Sequence, residues 1–132
     1  MGVLTVKLVK ATNLADEDYA GKTDAYVIME LEQDNMLHDK DYGSMRSTTK
    51  HNDVNPVWDE EFQFTIPTLE NMELSLQLYD DDVGGRDDKC GKCKINLEKE
   101  EIDSSPKEIE RTVDRNLLRA NGKIHLEISY EE

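Results

Sequence analysis

Alternation with a period of two runs through most of this chain, and it dictates a fold made of strands. Leu4, Val6 and Leu8 alternate with Thr5, Lys7 and Val9; Val27, Met29 and Leu31 with Ile28, Glu30 and Glu32; Phe62, Phe64 and Ile66 with Gln63 and Thr65. The pattern repeats at Leu74, Leu76 and Leu78, at Cys93, Ile95 and Leu97, and at Ile124, Leu126 and Ile128. A strand turns successive side chains to opposite faces, so each run has one buried face and one wet face. Weaker runs at 46–50 and 109–113 bring the expectation to about eight strands. Short antiparallel strands in that number predict an all-β, Greek-key sandwich of two sheets. Helical signal is confined to a turn at 98–102, and the polar stretch 33–45 reads as a long exposed loop.

Length and charge narrow the function. The chain has 132 residues, the size of one domain, and it is read as a single domain over 1–132. Its 30 acids against 16 bases give a formal charge of −14. No basic stripe exists to neutralise phosphates, which argues against nucleic acid. Simple attraction to an anionic membrane is disfavoured for the same reason. There are two cysteines, Cys90 and Cys93, fewer than a disulfide-stapled secreted domain carries, so a reduced, cytoplasmic setting is expected. No apolar stretch approaches the roughly 20 residues of a transmembrane helix, and no signal peptide is visible.

The C-x-x-C formed by these cysteines lacks the second pair that zinc needs, so core packing is its expected role. Trp58 is read as a core anchor. No phosphate loop, nucleophile elbow or carboxylate pair with a histidine base is present. The expectation is a monomeric binding domain and not an enzyme.

The acids gather in two loops. One is 16–24, with Asp16, Glu17, Asp18 and Asp24; the other is 80–88, with Asp80, Asp81, Asp82, Asp87 and Asp88. Acid runs in loops are commonly just solvated. These two, however, abut buried strands and contain glycines that let the chain fold back. Carboxylates held about 5 Å apart repel by a kcal/mol or more at intermediate dielectric, so gathering them costs stability unless a cation neutralises them. Ca²⁺ takes six to eight oxygens with flexible geometry, whereas Mg²⁺ keeps its waters and Zn²⁺ asks for His or Cys. An EF-hand is excluded: counting twelve from Asp16 reaches Val27, and from Asp80 reaches Gly91, where a bidentate Glu is required.

Four segments in order then resemble a C2 domain, the calcium and lipid module of conventional protein kinases C and synaptotagmins. They are 8–14 (LVKATNL), 18–27 (DYAGKTDAYV), 55–64 (NPVWDEEFQF) and 79–91, which opens Tyr79-Asp80-Asp81-Asp82 and closes Asp88-Lys89-Cys90-Gly91. The resemblance covers nearly the whole chain. It implies that Asp18, Asp24, Asp80, Asp82 and Asp88 are carboxylate ligands and that the main-chain carbonyl of Asp81 is a further one. Two Ca²⁺ are implied. Gly85 stands where some members place a serine ligand for a third, outer ion, and Asp87 could compensate. Ala25 replaces a frequent proline. The chain begins at the Asn-Leu strand and ends with 122–130, which resembles the strand other members carry first; this implies the type II topology.

The resemblance further implies reversible docking on anionic phospholipid membranes when Ca²⁺ rises, with Tyr19, Val83 and Arg86 at the loop tips touching lipid. Two ions would bring the formal charge from −14 to about −10, and screening beyond about 8 Å hides the remainder. Two modest apolar groups offer only a few kcal/mol of burial, so docking should be weak. The alternative is a Ca²⁺-dependent protein-interaction module or calcium buffer that never touches lipid. Arg46, Lys50 and Lys94 are scattered, and no phosphoinositide patch is expected.

Overall fold

The fold was obtained as a computed structural model, and it describes residues 1–14, 23–81, 84–114 and 122–132. Eight strands run in chain order: β1 (Gly2–Thr12), β2 (Ala25–Gln33), β3 (Lys40–Arg46), β4 (Val57–Ile66), β5 (Met72–Asp80), β6 (Asp88–Asn96), β7 (Lys107–Val113) and β8 (Gly122–Glu131). They form two four-stranded sheets, ordered β4-β1-β8-β7 and β3-β2-β5-β6, and every pairing is antiparallel. No helix occurs among the described residues; 98–101 is a turn, as the sequence predicts.

The alternating residues fill the space between the sheets. Leu4, Val6 and Leu8 of β1 and Ile124, Leu126 and Ile128 of β8 face Val27, Met29 and Leu31 of β2 and Leu74, Leu76 and Leu78 of β5, all buried. Each fully buried aliphatic side chain contributes about 1.5–3 kcal/mol, so this shared interior holds the sheets together. Trp58 is 5% exposed and Cys93 is buried, while Cys90 is half-buried against the same core. Two glycines are set by close packing. A Cβ on Gly2 would stand 2.5 Å from the Tyr130 ring, and one on Gly122 would stand 2.8 Å from Leu14 and 3.2 Å from the Thr12 carbonyl.

The structure corrects one expectation. The stretch 33–45 is not all loop: β3 occupies Lys40–Arg46, and a short turn at 34–39 leads into it. Of 46–50, Arg46 closes β3 opposite Ile28, and Lys50 returns to the sheet in an isolated bridge with Ala25. The reason is a bulge. Leu31 pairs with Gly43 but Glu32 pairs with Asp41, so Tyr42 is an extra residue that breaks the period of two. As an edge strand, β3 also needs only one apolar face contact, and it supplies half-buried Tyr42 and Met45.

Two further bulges steer the loop end. Val9 is skipped between Leu8 and Lys10, which turns Ala11 inward beside Ile124. Cys90 is skipped between Lys89 and Gly91, and Gly91 adopts a φ of 144°, a conformation that favours glycine.

Candidate functional site

Strands β1, β3, β5 and β7 end, and β2, β4, β6 and β8 begin, at one end of the sandwich, as the antiparallel pairings within each sheet require. At that end β5 runs two residues past its last buried leucine. Leu74, Leu76 and Leu78 face inward, and Asp80 continues the same face where the core stops. Asp80 pairs with Ala25 on one side and with Asp88 on the other. Residues directly opposite across antiparallel strands share a face, with Cβ atoms about 4.5–5.5 Å apart. The sequence therefore brings two acids, eight positions apart in the chain, side by side on the core-facing rim.

Asp24 joins them from the end of the β1–β2 connection. Its main-chain N–H donates to Asp80 Oδ1 at 3.0 Å, and its carbonyl accepts from the Asp81 N–H at 2.8 Å. Asp24 Oδ1 in turn accepts from the Asn52 N–H at 2.8 Å and lies 3.6 Å from His51 Nδ1. Asn52 has a φ of 52°, the left-handed conformation that asparagine tolerates.

The β3–β4 loop that carries these two residues is sewn down along its length. Lys50 and Ala25 exchange both main-chain hydrogen bonds, the Asp53 N–H donates to the Thr23 carbonyl, Leu14 N–H to Val54 and Ala11 N–H to Pro56. Asn55 Oδ1 accepts from the Asn13 N–H at 2.8 Å. Trp58 anchors the loop from β4.

On the outer face of the same sheet a different arrangement stands. The rings of Tyr26 and Tyr79 stack at 5.2 Å with 13° between planes. The Arg46 guanidinium covers the other face of Tyr26 at 3.8 Å. The Tyr26 hydroxyl donates to Asp87 Oδ2. Burial first, and then this hydrogen bond, push the Tyr26 phenol up to about 12, so it remains a donor at any ordinary pH.

Of the ligands the sequence predicts, Asp24 and Asp88 are each placed against Asp80, by a hydrogen bond and by strand pairing respectively, and the Asp81 N–H donates to the Asp24 carbonyl. Asp18 and Asp82 lie outside the described residues, as do the tip residues Tyr19 and Val83; Arg86 is exposed. Among the described residues, no group of three or more His, Cys, Asp or Glu side chains stands at metal-holding spacing. Sequence reasoning missed His51, Asn52 and Tyr26. The turn-forming run Asn52-Asp53-Val54-Asn55-Pro56 marks the loop, but nothing in it announces a contact with Asp24.

The family model described as the C2 domain matches residues 2–112. The chain belongs to the C2 domain family. Synaptotagmin-5 of Arabidopsis thaliana is 31% identical over 98% of the chain and 23% of its own length. Synaptotagmin-9 of Rattus norvegicus is 32% identical over 76% of the chain and 20% of its own length. An Arabidopsis thaliana protein named calcium-dependent lipid-binding protein is 29% identical over 99% of the chain and 25% of its own length. The chain thus spans about a quarter or less of the curated relatives it matches. Among solved structures, a C2 domain of plant extended synaptotagmin 1 aligns with a TM-score of 0.84 at 29% identity, over 98% of the chain and 94% of that domain. The calcium-bound pair of C2 domains of extended synaptotagmin 2 aligns with a TM-score of 0.70 at 26% identity, over 98% of the chain and 45% of theirs. As a C2 fold, the sandwich has its acid-bearing end formed by the loops, and no helix of the described residues is long and apolar enough to cross a membrane.

Proposed function

We propose that this C2 chain binds Ca²⁺ at the loop end and, when loaded, docks reversibly and peripherally on anionic phospholipid. The observation that carries the reading is the pairing of Asp80 with Asp88 across β5 and β6, with the Asp24 main-chain N–H donating to the Asp80 carboxylate. All three present hard oxygen donors, the ligand class Ca²⁺ prefers. Asp24, Asp80, Asp88 and the Asp81 carbonyl would hold the ion, with Asp18 and Asp82 completing the set. When bound, Ca²⁺ supplies positive charge and open coordination positions for a phosphate or carboxylate oxygen. Arg86, exposed beside the site, adds a cation at the tip, and Tyr19 and Val83 add apolar contact.

Support also comes from the relative named for calcium-dependent lipid binding and from the calcium-bound neighbour. The role is that of a binding module and not of a catalyst. Residues 1–132 are taken as one C2 unit of type II topology, a reading supported by β8, which lies beyond the family-matched stretch and pairs with both β1 and β7.

The test is co-sedimentation with phosphatidylserine vesicles in Ca²⁺ and in EDTA. Pelleting only with Ca²⁺ is expected; pelleting that ignores EDTA, or none with Ca²⁺, overturns the docking. The charge of −14 favours one second reading, a Ca²⁺-dependent protein-interaction module or buffer. Calorimetric Ca²⁺ binding without vesicle binding would select it.

A further inference from the structure

Asp87 sits among the acids of the β5–β6 loop, yet it faces away from the rim. Asp80 and Asp88 continue the inward face of their strands. Tyr26 and Tyr79 pair across β2 and β5 one place nearer the core and project from the outer face, beside Ile28 and Gln77. It is the Tyr26 hydroxyl that donates to Asp87 Oδ2, a contact across 61 positions of chain. The Tyr26 ring cannot swing aside cheaply, because Tyr79 lies against one face and the Arg46 guanidinium against the other, and the residue is 4% exposed.

We propose that Tyr26 sets the cation capacity of the loop end by holding Asp87 on the outer face of the sheet, out of reach of an ion seated among Asp24, Asp80 and Asp88. The proposal rests on the Ca²⁺ reading above. It assigns the phenol a role that its ring alone would not give it. The stack of Arg46, Tyr26 and Tyr79 is the mount, and the hydroxyl is the tether. With the tether cut, Asp87 can turn about its loop and add a further oxygen donor to the rim. A carboxylate gained at a site already rich in carboxylates favours an additional divalent ion.

The experiment is a calorimetric Ca²⁺ titration of the wild type, Tyr26→Phe, Asp87→Asn and the double variant. Phenylalanine keeps the stack, and a cooperative melt in EDTA checks that each variant folds. Tyr26→Phe is expected to take up one further Ca²⁺ per chain, and the double variant to lose it again. Asp87→Asn alone is expected to change affinity by roughly twofold or less, the size of a more distant charge. The Asp87 carboxyl carbon resonance is expected to stay put on Ca²⁺ addition in the wild type and to move in Tyr26→Phe. Unchanged stoichiometry in Tyr26→Phe, or loss of an ion in Asp87→Asn, overturns the tether while leaving the calcium site standing. A wild type that binds no Ca²⁺ overturns the calcium reading and the tether with it.

Discussion

Trp58 Nε1 donates to the main-chain carbonyl of Thr48 at 2.9 Å, so a side chain of one sheet fixes the start of a loop that leaves the other. Thr48 is held again by Glu60, which accepts from both its N–H and its hydroxyl. Farther along the same loop, Asn52 holds the carboxylate of Asp24. A core residue and a rim residue are thereby coupled through the main chain of one loop.

Trp58→Phe should expose that coupling. It removes the donor, leaves the Thr48 carbonyl without the indole and opens a space in the core. The combined cost should be about 2–4 kcal/mol, a melting temperature lower by roughly 10 °C, read by thermal unfolding in EDTA. Ca²⁺ affinity should fall as well, because the loop that orients Asp24 loses an anchor. Full-strength Ca²⁺ binding in the folded variant would break the link.

Asp80→Asn should move stability and affinity in opposite directions. Asparagine keeps an oxygen to accept from the Asp24 N–H but removes one charge from a rim where Asp88 is the cross-strand neighbour. Relief of repulsion should raise stability in EDTA by about 1 kcal/mol, while Ca²⁺ affinity falls at least about tenfold. A paired melt and titration reads both, and a drop in both would place the role of Asp80 in folding.

The two thiols should differ in reactivity. Burial pushes Cys93 up to about 11, while Cys90 is half-buried beside the bulge. A thiol reagent at pH 8 should modify Cys90 first and Cys93 only on the timescale of unfolding. In the folded state both Cys93 and Tyr26, at about 11 and about 12, hold their protons above their ordinary values of 9 and 10. Between those limits the unfolded chain releases protons that the folded chain keeps. The stability these groups contribute is therefore whole below about pH 9 and declines as pH rises toward 12. Urea midpoints measured from about pH 8 to 11 check the sign.

Gly2→Ala should destabilise although it lies at the first strand position. The added methyl meets the buried Tyr130 ring, whose hydroxyl already reaches the Ile66 carbonyl. A rigid ring must shift, at about 1–3 kcal/mol. An unchanged melting temperature would mean that Tyr130 moves freely.

The strands whose alternation is unbroken were legible from the sequence, because burial on one face writes itself into every second residue. β3 was not, because the bulge at Tyr42 and its edge position erase that signal. At the candidate site, Asp24, Asp80 and Asp88 stand out in the sequence because their side chains carry the charge. Asn52 was hidden because it acts through a main-chain N–H, which every residue but proline has. Tyr26 was hidden because its partner is 61 positions away and its identity is equally explained by the stack.

The extra residue at Cys90 brings a latitude of its own. Asp88 keeps the face of Asp80 because the bulge absorbs Cys90 as an extra residue between Lys89 and Gly91. Deleting Cys90 would make the ladder regular and leave Asp88 opposite Asp80. β6 can therefore lose a residue at this point and keep the acid pair, whereas a one-residue slip in a regular stretch turns every side chain beyond it to the other face. A gap at position 90 in an aligned relative is thus compatible with an intact site.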